Sequence, residues 1–258
     1  MNLWQIVLIL VTGILAGLIS TLGGGGSLLT MPMLIFLGLP AAEANGTNRI
    51  GLFIQDLVGI VSFRRKGYFY PKISFILGLP AVLGSLLGVR VAISISGELF
   101  EKILGVIMIM VLITILTRPE KRFIKEIEGE NWGIIRFAVA ILVFFGVGFY
   151  GGFIQAGVGF IIIIALTLIT GIPLVKVNCL KIFIRFAFTI SSLLMFSISG
   201  KVNLLLGLTL AAGCSIGAYF GSIIAISKGE KWIRVFLIIT ILAMAAKLWG
   251  LLDFINIQ

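Results

Sequence analysis

Gly23-Gly24-Gly25-Gly26-Ser27 breaks one long apolar run, and Gly151-Gly152-Phe153-Ile154-Gln155-Ala156-Gly157-Val158-Gly159 breaks another. Each break follows an apolar stretch of helical length, residues 3–22 in one case and 133–150 in the other. Each is followed by a short apolar segment, residues 27–39 and 158–172. At 1.5 Å per residue these segments reach roughly 20 and 22 Å, short of a hydrocarbon core of about 30 Å. Short, glycine-flanked segments at matching places in two halves of a chain are how interrupted helices around a solute site read in sequence.

The whole composition agrees with a bilayer setting. Of 258 residues, 60% are apolar and only 12% charged, and the mean hydropathy is +1.21. Soluble globular chains carry about a quarter charged residues, so an ordinary soluble domain, a disordered chain and a collagen are all excluded. We expect an all-α, polytopic integral membrane protein. Ten apolar segments of helical type lie at 3–22, 27–39, 49–63, 71–93, 99–117, 133–150, 158–172, 179–199, 203–227 and 233–252. Residues 2–22 lack the basic start and small-residue cleavage pattern of a secretory signal and are expected to be retained as the first helix. The net charge of +10 is read as orienting charge on cytoplasmic loops, not as a nucleic-acid surface.

Residues 118–131 form the one strongly polar stretch and divide five segments from five, giving a first repeat at 1–117, a linker at 118–131 and a second repeat at 132–258. An ungapped shift of 133 residues superposes Gly24 on Gly157, Gly26 on Gly159, Pro40 on Pro173, Asn45 on Asn178, Phe53 on Phe186, Gly84 on Gly217 and Gly88 on Gly221. Five crossings per half require the second repeat to be inverted relative to the first. Basic residues agree: loops at 64–72, 118–125, 176–181 and 228–234 carry four, four, two and three of them on one face. By the positive-inside rule that face is cytoplasmic, which puts both termini outside the cytoplasmic (inner) membrane.

The polar residues of the apolar segments concentrate around the breaks and at the start of each third helix. Glycine lets another group approach the main chain, and a helix starting beyond such a turn aims free N–H groups and a positive dipole end into it. Gly24, Gly25, Gly26 and Ser27 in one half, with Gln155, Gly157 and Gly159 in the other, are therefore candidate binding residues for an anion. Asn45, Thr47, Asn48 and Arg49, together with Asn178, Lys181 and Arg185, supply amides, a hydroxyl and cations to face them. Arg49 and Lys181 admit two readings, a substrate contact or a long basic chain reaching the headgroups. Asp56, two turns beyond Arg49, either pairs with a cation or carries a coupling proton. Glu43 reads as a helix-start acid. The small-xxx-small pairs 84/88 and 217/221 read as helix packing.

The strings Gly23 to Ser27 with Pro32, Gly38-Leu39-Pro40, Ala44-Asn45-Gly46-Thr47-Asn48-Arg49 and Phe63-Arg64-Arg65-Lys66-Gly67 resemble the first half of the TauE/SafE membrane transporters. Gly148-Phe149-Tyr150-Gly151-Gly152-Phe153-Ile154-Gln155-Ala156-Gly157-Val158-Gly159 and Asn178-Cys179-Leu180-Lys181 resemble the second signature of that family. The resemblance implies transport of small sulfur-containing anions such as sulfite or an organosulfonate. Cys179 stands where the family often has alanine, and the Arg64-Arg65-Lys66 cluster is denser than usual.

Other classes of function lack their residues. The chain has no histidine, its aspartates are Asp56 and Asp253, and its cysteines, Cys179 and Cys214, stand alone. A rhomboid-type serine protease, a His-Glu-x-x-His metalloprotease and a paired-aspartate protease therefore cannot be assembled. No Gly-Lys-Ser or Gly-Lys-Thr phosphate loop is present, and no cofactor or metal is expected. The expected partners are a small anionic solute and membrane lipid. A homodimer is compatible with the sequence without being specified by it. Alternating access by a secondary transporter is the leading reading, with a passive anion channel or a carrier for another small organic anion as the alternative.

Overall fold

The computed structural model describes residues 2–117, 133–172 and 174–227. The linker at 118–131, the basic loop at 228–234 and the tenth expected segment at 233–252 lie outside them. The described residues form helices α1 (Leu3–Leu22), α2 (Ser27–Phe36), α3 (Ala41–Arg65), α4 (Pro71–Ser94), α5 (Gly97–Thr117), α6 (Ile134–Phe153), α7 (Val158–Thr170), α8 (Leu174–Ile198) and α9 (Leu204–Ser227). The chain is all-helical there, as expected.

Among the described residues, five helices are long and apolar enough to cross a bilayer: α1, α4, α6, α8 and α9. Their outward faces are apolar. Leu3, Val7 and Val11 follow one stripe of α1, and Phe75, Leu79, Leu83 and Leu87 one stripe of α4, all exposed. Such stripes would be large hydrophobic patches in water and are ordinary surface in lipid. The protein is a multi-pass membrane protein.

Helix α3 is different. It is 25 residues long, yet it carries Asn45, Thr47, Asn48, Arg49, Gln55 and Asp56, all buried. It packs against α9 and α8, and α8 in turn packs against α4, so the polar helix is sheathed by apolar ones. The third helices begin earlier than hydropathy alone indicates, at Ala41 and Leu174 instead of 49 and 179. The reason is local: Pro40 in extended conformation (φ −54°, ψ 144°) sets the start of α3, while the polar turn behind it depresses the apolar signal. Two corrections follow. Lys181 is not a loop charge but lies two turns inside α8, fully buried, and Arg49 is equally buried inside α3.

The two halves interlock. The first helix of each half runs along the fourth helix of the other, α1 on α9 and α6 on α4. Glycines make both contacts possible. A Cβ at Gly84 or Gly88 would strike the carbonyls of Phe145 and Phe149, and one at Gly217 the carbonyl of Ile14, so these pairs serve packing as expected. Gly17 meets the Cys214 carbonyl, and Gly148 the Ala81 carbonyl. These contacts recur with a spacing of 133 residues in the fourth helices and of 131 in the first. The ungapped superposition is out by two residues ahead of the third helices. Helix α7 is three residues longer than α2 and the connection to the third helix one residue shorter, which leaves a net offset of two. Gly24 then corresponds to Gln155, not Gly157, and Gly26 to Gly157. That accounts for an oddity: Gln155 is the sole non-glycine at positive φ (63°) among the described residues, at the place where Gly24 has φ 100°.

Candidate functional site

The glycine breaks meet. Gly24 lies directly against Gly159, so that a Cβ on either would strike the other's Cα. At φ 100° with a backbone neighbour at contact, Gly24 cannot be replaced without strain. Ser27, at the start of α2, donates its hydroxyl to the Gln155 carbonyl at 3.0 Å. Gln155 donates Nε2 to Thr189 Oγ1 on α8 at 2.9 Å.

On one side of this contact lies a network around the end of α1. Arg185 Nε donates to both oxygens of Asp56, at 3.0 and 2.9 Å, and its Nη2 completes the ion pair. Nη1 donates to Ser20 Oγ at 2.5 Å, and Gln55 Nε2 donates to the same oxygen at 2.9 Å. Lys181 Nζ donates to the main-chain oxygens of Ser20 and Thr21 at 3.2 and 3.3 Å. These are last-turn carbonyls of α1, left without intrahelical donors by the glycine break, and the cation also meets the negative end of the helix dipole.

On the other side a smaller network closes α6 in the same way. Arg49 Nη2 donates to the Gly152 carbonyl at 2.7 Å and to Asn45 Oδ1 at 3.2 Å. Asn45 Nδ2 donates to the Phe153 carbonyl at 2.7 Å. The guanidinium lies over the ring of Phe196, 5.0 Å from its centre. Thr30 donates to Asn48 Oδ1 at 2.5 Å. Each half's third helix thus caps the other half's first helix with a buried cation.

The two networks are not equally satisfied. Around α1 each side-chain nitrogen of Lys181 and Arg185 has at least one acceptor. Around α6, Arg49 Nε and Nη1 and Asn48 Nδ2 are buried and have no hydrogen-bond partner among the described residues; buried acceptors without one there are Asn178 Oδ1, Gln155 Oε1 and, in the α1 network, Gln55 Oε1. Such groups are rare in folded proteins because each carries an uncompensated desolvation cost. Charge is unbalanced as well. Among the described residues the buried charged side chains are Arg49, Lys181 and Arg185 against Asp56, three cations to one carboxylate.

Most sequence-selected residues converge here. Gly24, Ser27, Gln155 and Gly159 form the meeting point; Asn45, Asn48 and Arg49 form one flank; Lys181, Arg185 and Asp56 form the other. Gly25 packs under the ring of Phe160, Gly26 against the Ala16 carbonyl, and Gly157 supplies a left-handed turn (φ 71°) before α7; these shape the breaks without offering side chains. Thr47 does not join them. Its hydroxyl accepts from the Asn203 N–H at 2.9 Å, tying α3 to the turn before α9. Ser20, Thr30 and Thr189 carry no signal in the sequence, though Ser20-Thr21 stands one residue before the glycine run and Thr189 stands 133 residues after Asp56.

The model of the family described as "Sulfite exporter TauE/SafE" matches residues 9–248. The chain belongs to the TauE/SafE family. Among its relatives, the "Probable membrane transporter protein YfcA" of Escherichia coli is 29% identical, with 91% of this chain and 86% of that protein covered. A "Probable membrane transporter protein" of Haemophilus influenzae is 28% identical over 92% and 91% of the two chains, and "Probable membrane transporter protein ORF9" of a Sinorhizobium species is 25% identical over 92% and 90%. No solved structure matches the chain. As a TauE/SafE member it is a membrane transporter, and the transporter names of its relatives accord with a non-enzymatic role.

Proposed function

We propose that this TauE/SafE protein is a secondary transporter of a small, sulfur-containing oxyanion such as sulfite or an organosulfonate, working by alternating access across the cytoplasmic membrane. One observation carries the reading: three buried cations face one buried carboxylate, and the orphan donors, Arg49 Nε and Nη1 and Asn48 Nδ2, are of the kind an oxyanion accepts. Charged guanidinium N–H groups donate strongly to the oxygens of a sulfo group, and an anion bound beside them offsets an excess of positive charge that hydrocarbon does not tolerate.

Two further features support a two-state carrier built of inverted repeats. Phe53 and Phe186, equivalent at the shift of 133, stack on each other at 5.3 Å, as residues beside a pseudo-two-fold axis do. The Asp56–Arg185 pair joins one half to the other. In the proposed cycle the halves rock about the glycine contact, and Asp56 carries the proton of a coupled step when its pair with Arg185 opens.

The test is uptake of labelled sulfite or a sulfonate into liposomes holding the pure protein. Saturable flux and counterflow are expected, with loss of flux in Arg49→Gln, Asn178→Ala and Lys181→Ala. Undiminished flux in all three variants removes these side chains from the site. Flux that never saturates and shows no counterflow makes the protein a passive anion channel. Persistence of pH-gradient dependence in Asp56→Asn removes the coupling role of that carboxylate.

A further inference from the structure

A groove of about 530 Å³ runs between α3 and α9, away from the buried networks. Its volume falls in the range of pockets that hold organic ligands. The walls are apolar: Leu57 and Val61 come from α3, Tyr219 and Ile223 from α9. Leu57, Val61 and Tyr219 are exposed, so the groove opens outward to the acyl region. At one end, at and just past the last residue of α3, the lining changes to Arg65 and Lys66. Both are exposed, and neither makes an ion pair or a side-chain hydrogen bond among the described residues.

An apolar furrow at bilayer depth that ends in two unengaged cations has the charge and polarity pattern of one amphiphile, an acyl chain with an anionic head. Basic clusters at the ends of membrane helices attract anionic lipid by about 1 kcal/mol per residue. The alternative, a partner helix, is disfavoured at that end, where two adjacent basic groups would need acidic counterparts. The groove floor is tied by a hydrogen bond between Ser62 on α3 and Ser222 on α9, so it is a feature of the α3–α9 interface and not of side chains lying loosely over it.

We infer that this groove is a binding site for an anionic phospholipid, its phosphate held by Arg65 and Lys66 and one acyl chain lying along Leu57, Val61, Tyr219 and Ile223. The lipid would bridge the polar third helix of one half to the fourth helix of the other. This site is independent of the solute site and stands whether or not sulfite is carried.

The test uses the full-length protein and native mass spectrometry with dioleoylphosphatidylglycerol, dioleoylphosphatidylcholine and, as the headgroup alone, glycerol 1-phosphate. Retention of phosphatidylglycerol over phosphatidylcholine is expected, with no binding of glycerol 1-phosphate. The Arg65→Gln/Lys66→Gln double variant is expected to weaken phosphatidylglycerol binding by roughly thirtyfold, the factor that two near-surface basic charges carry. Lys102→Gln, an exposed charge outside the groove, should change nothing. Tyr219→Leu keeps the wall apolar and Tyr219→Lys does not, so only the second should reduce binding. Equal retention of both lipids by the wild-type protein, or an unchanged preference in the double variant, overturns the site. Binding of glycerol 1-phosphate as tight as that of the lipid overturns the acyl part of it.

Discussion

Neutralising one carboxylate, Asp56→Asn, tests the electrostatic core of the molecule. Asp56 and Arg185 are buried, and the guanidinium spends both Nε and Nη2 on the carboxylate. Removing one partner of a buried pair costs about 3–5 kcal/mol because the other charge stays behind. Here the substitution also raises the buried excess from two positive charges to three. Two contacts survive: Nη1 keeps Ser20 Oγ at 2.5 Å, and asparagine retains one carbonyl oxygen. The low end, about 3 kcal/mol, is therefore expected. For a chain of this size that corresponds to a fall of roughly 6–12 °C in the unfolding midpoint, read by intrinsic tryptophan fluorescence of protein in detergent. The double variant Asp56→Asn/Arg185→Gln removes the stranded charge and should recover about 2 kcal/mol relative to the sum of the two single changes. A drop under about 2 °C, or strictly additive losses in the double variant, would show that the pair does not hold the halves together.

Three further outcomes are expected. Arg49→Lys keeps the charge and loses the free Nε and Nη1 donors, so sulfite flux should fall about ten- to a hundredfold, the weight of one charge-assisted hydrogen bond; full flux would place the anion elsewhere. Gly24→Ala puts a methyl group into the Gly159 backbone at φ 100°, and yield of folded protein by size-exclusion chromatography should collapse, whereas wild-type yield would deny the close approach of the two breaks. Thr47→Ala removes the bond to Asn203 and should cost about 1 kcal/mol in thermal stability while leaving the KM for transport unaltered; a raised KM would return Thr47 to the solute site.

Particular residues show what could be read in advance. Arg185 and Asp56 drew attention because charge within an apolar helix is costly and so marks a site, and the structure brings them together. Their partner Ser20 was invisible: a serine ending an apolar stretch is ordinary, and only the packing of α1 against α3 and α8 gives it two donors. Gln155 was legible as a polar residue in a break, but its left-handed backbone was not, since no rule of composition puts a glutamine where the other half uses glycine. Lys181 looked equally like a loop charge, because the start of α8 is masked in hydropathy by its own polar turn.

The amino-acid order alone determined that the chain lives in lipid, that its helices are broken at two glycine-rich points, and that polar groups gather near those breaks. Hydropathy and glycine content suffice for that, since apolar length and backbone freedom are properties of short stretches. Only tertiary structure decided which carbonyl each cation caps, which donors are left over, and that Thr47 ties α3 to the turn before α9. These depend on contacts between residues more than a hundred positions apart, and no local pattern encodes the register in which helices from different halves settle against one another.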